Sequence, residues 1–183
     1  MTEKIENQMK LLKKLNKEEY RILQEYASQI EHNDNTNREG HSAKIYFSAL
    51  FGNNVSRNKE NSLNAFLNYG YQLLLSTFNK EIVANGYLTQ IGIFHKNMFN
   101  YYNLSSDLME PFRVIVDELA YKENPQKFEK DEKRKLQNIL NLKFRINNVN
   151  HYLSDVIKIY TKSIFDALSS NDLSLVRFFQ DEL

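Results

Sequence analysis

Residues 61–86, NSLNAFLNYGYQLLLSTFNKEIVANG, decide the fold class. Leu63, Phe66, Leu67, Leu73, Leu74, Phe78 and Ile82 fall at helical spacing, so their side chains gather on one side of an α-helix. The pattern predicts a long helix from about Asn61 to Asn85. Gly86 ends it, because a helix C-terminus favours a left-handed residue and glycine adopts that conformation without a Cβ penalty. A helix this apolar needs other helices to cover it. Five glycines and two prolines in 183 residues are too few for the turns of a sandwich or barrel. The expected fold is therefore all-α around one core.

Towards the N-terminus, Ile5, Met9 and Leu12 predict a first helix. Asn16-Lys17-Glu18-Glu19 reads as an N-cap with Glu at N3, opening a second helix that carries Ile22, Leu23, Tyr26 and Ile30. His32 to Asn37 is a polar loop. A third helix runs roughly from Glu39 to Phe51, with Gly52 as its stop, and Gly52 to Glu60 is a second polar loop. Towards the C-terminus, Tyr87 to Asn103 is aromatic and Asn-rich without helical periodicity, and reads as a structured connection. Asp107 to Tyr121 is helical again, and Asn124-Pro125 reads as the start of another helix, since proline is tolerated at the first helical position. A small hairpin near 142–152, turning at Asn147-Asn148, is the one strand signal. Ser154 to Leu168 and Leu173 to Leu183 read as closing helices.

Composition narrows the chemistry. With no cysteine, the chain has no disulfide framework, thiolate metal site or cysteine nucleophile. No apolar run approaches ~18 residues and the N-terminus lacks a signal-type apolar stretch, so a cytoplasmic protein with no membrane partner is expected. Lys and Arg number 24 against 23 Asp and Glu, so any nucleic-acid binding must use a local patch. Lys127 to Lys135 is a poor one, because its acids alternate with its lysines and read as a solvated helix face.

Three segments join an ionisable group to glycine or proline at an unusual place. Arg38-Glu39-Gly40-His41 puts a glycine just inside a helix, at a cost of ~1 kcal/mol relative to alanine; as an ordinary helix start, the acid complements the dipole. Gly92-Ile93-Phe94-His95-Lys96-Asn97 holds a lone histidine in an apolar, non-helical stretch, where such a residue is more often hydrogen-bonded and structural than a ligand. In Asp107-Leu108-Met109-Glu110-Pro111-Phe112-Arg113, Asp107 and Glu110 have the spacing of a capping box. Together, two carboxylates and an imidazole make a mixed oxygen and nitrogen set that suits Mg²⁺ or Mn²⁺. From Arg38 to Arg113 there are 7 basic and 5 acidic residues. With Glu39 and Glu110 on a metal, a surplus of 7 − 3 = 4 positive charges would remain, as phosphodiester chemistry requires.

Four blocks in order, Arg38 to Phe47, Leu67-Asn68-Tyr69-Gly70-Tyr71, Gly92 to Asn97 and Asp107 to Arg113, resemble the signature blocks of the CRISPR-associated integrase, closest to its type II enzymes. The resemblance covers essentially the whole chain. It implies a divalent-metal-dependent DNA endonuclease and integrase of CRISPR adaptation, which inserts short foreign DNA into the CRISPR array by 3′-hydroxyl attack on a phosphodiester. It implies Mg²⁺ or Mn²⁺ held by Glu39, His95 and Glu110, with Tyr69 and Asp107 in supporting catalytic roles and Arg57, Lys96 and Arg113 as DNA-phosphate contacts. It further implies foreign DNA and the CRISPR repeat as partners, a homodimer in full-length relatives, and a small adaptation partner protein. The family's N-terminal β-strand domain has no counterpart here. Residues 1–183 are thus expected to be the helical catalytic domain, with 1–31 as a lead-in matching the inter-domain region. That difference leaves a second reading, a catalytically silent helical module that only binds DNA or other adaptation proteins.

Overall fold

The computed structural model describes residues 2–28, 38–53 and 55–180, with the side chains of Thr2, Arg38 and Glu39 outside the described set. Among these residues the chain forms helices α1 (Thr2–Lys14), α2 (Tyr20–Ser28), α3 (Arg38–Phe51), α4 (Ser62–Ala84), α5 (Asn103–Met109), α6 (Arg113–Glu123), α7 (Lys130–Gln137) and α8 (Leu153–Ser170). Strands β1 (Lys143–Ile146) and β2 (Val149–Tyr152) pair as one small antiparallel sheet. The fold is all-α with the expected hairpin. Among the described residues no helix is long and apolar enough to cross a membrane. Ile30 and the His32–Asn37 loop lie outside the described residues.

The chain divides into two compact units, Met1–Leu67 with Glu110–Phe128, and Asn68–Met109 with Glu129–Leu183. In the first, Ile5 and Leu12 of α1, Leu23 of α2, Tyr46 of α3, Phe66 of α4 and Val116 of α6 are fully buried. The phenol of Tyr46 donates to Asp117 Oδ2 at 2.9 Å, so the hydroxyl buried between α3 and α6 has its acceptor. Asn16 does not cap α2 as its sequence context predicts. It has φ 54°, and Lys17 N donates to Leu12 O while Asn16 N donates to Lys13 O. That pair of bonds closes α1 as a Schellman motif, a role asparagine fills because it tolerates the left-handed region.

In the second unit, Leu74, Phe78 and Ile82 of α4, Leu136 of α7, Ile146 of β1 and Val156 and Ile157 of α8 form the core. Gly86 (φ 82°) ends α4 with the same pair of bonds, Tyr87 N to Ile82 O and Gly86 N to Val83 O. Tyr87 then stacks on Phe165 of α8 with ring centroids 3.7 Å apart. Asn147 and Asn148 both have positive φ, the two-residue turn whose twist matches a tight hairpin.

Three expectations at element ends fail for local reasons. The helix expected from Asp107 begins at Asn103 and is broken at Glu110–Phe112, which form a 3₁₀ turn. Pro111 has no N–H to give the carbonyl four residues earlier, so the α-helical ladder stops there. Pro125 starts no helix; Asn124 is the left-handed C-cap of α6, and α7 begins at Lys130 behind a Glu129/Glu132 capping box. Residues 173–175 form only a 3₁₀ turn. The chain then runs on until Gln180 exchanges backbone bonds with Arg145, while Phe179 packs edge-on against Phe144.

In the first unit, Glu118 of α6 lies 2.6 Å from Lys14 Nζ of α1 and 2.6 Å from Lys122 Nζ. Burial on its own would raise its pKa, but the Lys122 and Lys14 ammonium groups outweigh that effect and hold it below its usual 4.5. A carboxylate depressed in the folded state stabilises the fold above its unfolded pKa, and that stability is lost as pH falls through the folded value. Glu118→Gln is expected to cost about 1 kcal/mol at neutral pH and to flatten the decline of the thermal midpoint below pH 4.5. A variant that keeps the wild-type acid profile would contradict this role.

Candidate active site

In the second unit, a single carboxylate organises the segment that carries the candidate histidine. Asp107 Oδ2 accepts from Ile93 N at 2.6 Å and Phe94 N at 2.9 Å, and Oδ1 accepts from His95 N at 3.1 Å. The same Oδ1 meets His95 Nδ1 at 2.5 Å. Asp107 is thus a cap, but for the 93–95 backbone rather than for its own helix, and the capping-box reading fails. With its acceptor oxygen already turned to N–H donors, the carboxylate requires the proton on Nδ1. In the neutral ring the lone pair then lies on Nε2. The side chain of Asp107 is 7 % exposed and that of His95 40 %, so the clamp is buried while the imidazole reaches solvent.

One turn earlier on α5, Asn103 grips the same connection. Its Nδ2 donates to Gln90 O at 2.9 Å and Asn97 O at 2.8 Å. Thr89 Oγ1 donates to Tyr101 O at 2.8 Å, and Leu104 N to Thr89 O at 2.9 Å. Gly92 lies against this clamp. A Cβ there would meet the His95 carbonyl and come within 2.8 Å of Asp107 Oδ2, so no side chain fits. The connection from Tyr87 to Asn103 is therefore tied down at two levels of α5, and Lys96 is exposed beside His95.

In the first unit, Glu110 opens the 3₁₀ turn between two cations. Lys4 Nζ is 2.8 Å from Oε2 and Arg113 Nη2 is 2.9 Å from Oε1. Oε2 is buried and has no aligned hydrogen-bond donor among the described residues, the ammonium contact notwithstanding. Arg57 sits within its own loop, where Nη1 donates to Asn64 Oδ1 at 2.7 Å and the guanidinium lies 5.8 Å from the Phe47 ring centre. Tyr69, on the second-unit part of α4, accepts from Gln137 Nε2 at 3.1 Å.

The described side chains therefore bring His95 to Asp107 and Glu110 to Arg113 and Lys4. The Glu39 backbone lies in α3, and its side chain is outside the described set. Among the described residues no group of three or more His, Asp or Glu is gathered to hold a metal ion. Two of the expected donors are described, each within its own unit, His95 in the second and Glu110 in the first. A histidine whose Nδ1–H is held by a carboxylate presents Nε2 with its orientation fixed, the usual support of a metal-binding imidazole. Glu110 Oε2 is a carboxylate oxygen, a donor of the kind Mg²⁺ and Mn²⁺ take. Lys4, Asn103 and the three N–H groups of residues 93–95 were not legible as site residues. Only the four-residue step from Asn103 to Asp107, two polar groups on one helix face, could have pointed to the clamp.

Solved structures share this helical arrangement. The structure of a casposase bound to integration product superposes with a TM-score of 0.71 at 22 % identity, covering 93 % of this chain and 63 % of that one. A partial complex of Cas6-RT-Cas1 with Cas2 superposes with a TM-score of 0.78 at 18 % identity, covering 100 % of this chain and 66 % of that one. At these identities the likeness is one of fold. The profile of the family "CRISPR associated protein Cas1" matches residues 1–152, and the chain belongs to that family. The CRISPR-associated endonuclease Cas1 of Neisseria meningitidis serogroup C (strain 8013) is 39 % identical over 95 residues. The match covers 52 % of this chain and 31 % of the Neisseria protein, so the chain corresponds to only about a third of that relative's length.

Asp107→Asn removes the charge that gathers the three N–H groups and the imidazole. It is expected to cost about 1–3 kcal/mol, to expose the amides of residues 93–95 to hydrogen exchange, and to lose the Nδ1–H tautomer of His95 in imidazole ¹⁵N NMR. Unchanged exchange and unchanged imidazole shifts would contradict the clamp.

Proposed function

We propose that this chain is the helical catalytic domain, residues 1–183, of a divalent-metal-dependent DNA endonuclease and integrase of CRISPR adaptation, a cytoplasmic enzyme. The observation that carries the reading is the Asp107–His95 clamp, found in a chain of the Cas1 family whose Neisseria relative is named an endonuclease. Glu39, His95 and Glu110 would hold Mg²⁺ or Mn²⁺. When bound, such an ion supplies Lewis-acid stabilisation of the charge on a phosphoryl oxygen and on the leaving 3′ oxygen.

The chain's own residues supply position and charge. Asp107 keeps the His95 proton on Nδ1, so that Nε2 stays available as a donor atom. Gly92 lets the 92–95 backbone close on Asp107 without a side chain between them. Lys96, exposed beside His95, and Arg113, which also steadies Glu110 Oε1, are cations suited to DNA phosphates. Arg57 and Tyr69 have a more supporting place in this reading, since each already shares a hydrogen bond with a neighbour in its own unit. In integration the nucleophile is the 3′-hydroxyl of a short foreign DNA, and in nuclease mode it is water. No covalent enzyme intermediate is required, so alignment of the two DNA ends carries most of the rate. The casposase carrying an integration product and the Cas1–Cas2 complex share this fold, which supports DNA and a small adaptation protein as partners; the homodimer of the full-length enzyme rests on the family resemblance alone.

Glu110→Gln keeps the side chain's shape and one acceptor oxygen, which serves Lys4 or Arg113 but not both, and removes the anionic charge. It is expected to lower Mn²⁺-dependent cleavage of a labelled branched DNA by more than the ~10–100-fold that loss of a supporting residue costs. DNA affinity should persist in the variant and fall steeply with salt. Cleavage at the wild-type rate would overturn the assignment. Binding without cleavage under any divalent ion, in the wild-type chain, would establish the silent binding module instead.

A further inference from the structure

Helix α1 meets the Glu110 turn along one side. Lys4, Asn7, Leu11 and Lys14 recur at steps of three and four and so share a helix face. Lys4 reaches Glu110 Oε2 at 2.8 Å, Asn7 Nδ2 donates to Pro111 O at 3.1 Å, Leu11 is buried, and Lys14 reaches Glu118. Lys4 is thus part of a built contact. Its side chain and that of Glu110 are each 14 % exposed, and the Asn7–Pro111 bond fixes α1 on the turn that carries the acid. At 2.8 Å the Lys4 ammonium brings a full positive charge to Oε2. A divalent cation would supply that charge in its place.

We propose that Lys4 is a positioning residue that holds the Glu110 carboxylate in the metal-free protein and competes with the divalent cation for Oε2. The inference rests on the reading of Glu110 as a metal ligand. Two effects act in the same direction. The cation must displace Nζ to use the lone pairs of Oε2, and an ammonium remaining nearby repels it. The residue types suit an exchange. Lysine is a compact charge on a flexible stem that can swing aside, whereas the planar fork of Arg113 keeps Oε1 oriented throughout. The carboxylate would then never be left without a cation in its half-buried position.

The test is Mn²⁺ affinity, read from the electron paramagnetic resonance of free Mn²⁺, for the full chain and for Lys4→Met, Lys4→Gln, Lys4→Arg and Glu110→Gln. Lys4→Met is expected to bind about tenfold more tightly than wild type, the size of change that loss of one partly buried ion pair would produce. Lys4→Gln, which keeps a polar group and serves as the test should the methionine variant fail to fold, should move the same way. Lys4→Arg should bind no more tightly than wild type, and Glu110→Gln more weakly than any of them. Without metal the methionine variant should melt below wild type, and saturating Mn²⁺ should narrow that gap, because tighter binding to the folded state stabilises it more. Equal or weaker affinity in both uncharged variants, with wild type binding normally, would overturn the role of Lys4 and leave the metal reading standing. A wild-type chain that binds no Mn²⁺ would overturn both.

Discussion

The candidate site depends on the Asp107 carboxylate. Two oxygens collect three consecutive backbone N–H groups and an imidazole, so one buried side chain fixes a loop, a ring orientation and a tautomer at once. Its position on α5 gives this clamp a firm base. Asn103 binds the same connection one turn away, and Leu108 and Met109 of the same helix are buried. A histidine presented from a loop is ordinarily a mobile ligand. Here the loop is held to a helix at two levels, and the fold itself sets the position of the ring.

The second acid is held by different means. Glu110 sits on a turn forced by Pro111 and is bracketed by cations from α1 and from the start of α6. The bracket recurs on α6, where Glu118 lies between Lys14 and Lys122. The two carboxylates differ in what surrounds them. At Glu118 both ammonium groups reach the same oxygen, and the pairing depresses its pKa and ties α1 to α6. At Glu110 the cations divide the two oxygens, Lys4 on Oε2 and Arg113 on Oε1. The first arrangement stabilises the fold. The second gives each oxygen a single cation, one from α1 and one from the start of α6.

Much of this was legible in residues 61–86 and in the glycines, because hydrophobic spacing and a left-handed stop act locally. Gly52 and Gly86 both end helices with positive φ, and the Asn147-Asn148 hairpin forms where its turn residues place it. What failed was asparagine and proline at helix ends. Asn16 and Asn124 close helices instead of opening them, and Pro125 simply follows such a closure. The same residue types serve both ends, and the choice is made by which neighbouring carbonyls are left over. The site was legible only in part. Spacing put Asp107 three residues before Glu110 and invited a capping box, whereas the actual partners of Asp107 lie 12 to 14 residues earlier in the chain. Lys4 was invisible, because nothing in a first-turn lysine announces an acid more than a hundred positions away. The family resemblance, carried by four ordered blocks, agrees with the family match over residues 1–152.

The most direct measurement is paramagnetic broadening by Mn²⁺ of the imidazole signals of the four histidines, His32, His41, His95 and His151. The account predicts that substoichiometric Mn²⁺ broadens His95 most strongly, that its Nε2 is the nitrogen affected, and that a chelator restores the signal. Broadening confined to the other histidines, or a His95 signal unmoved by Mn²⁺, would contradict it.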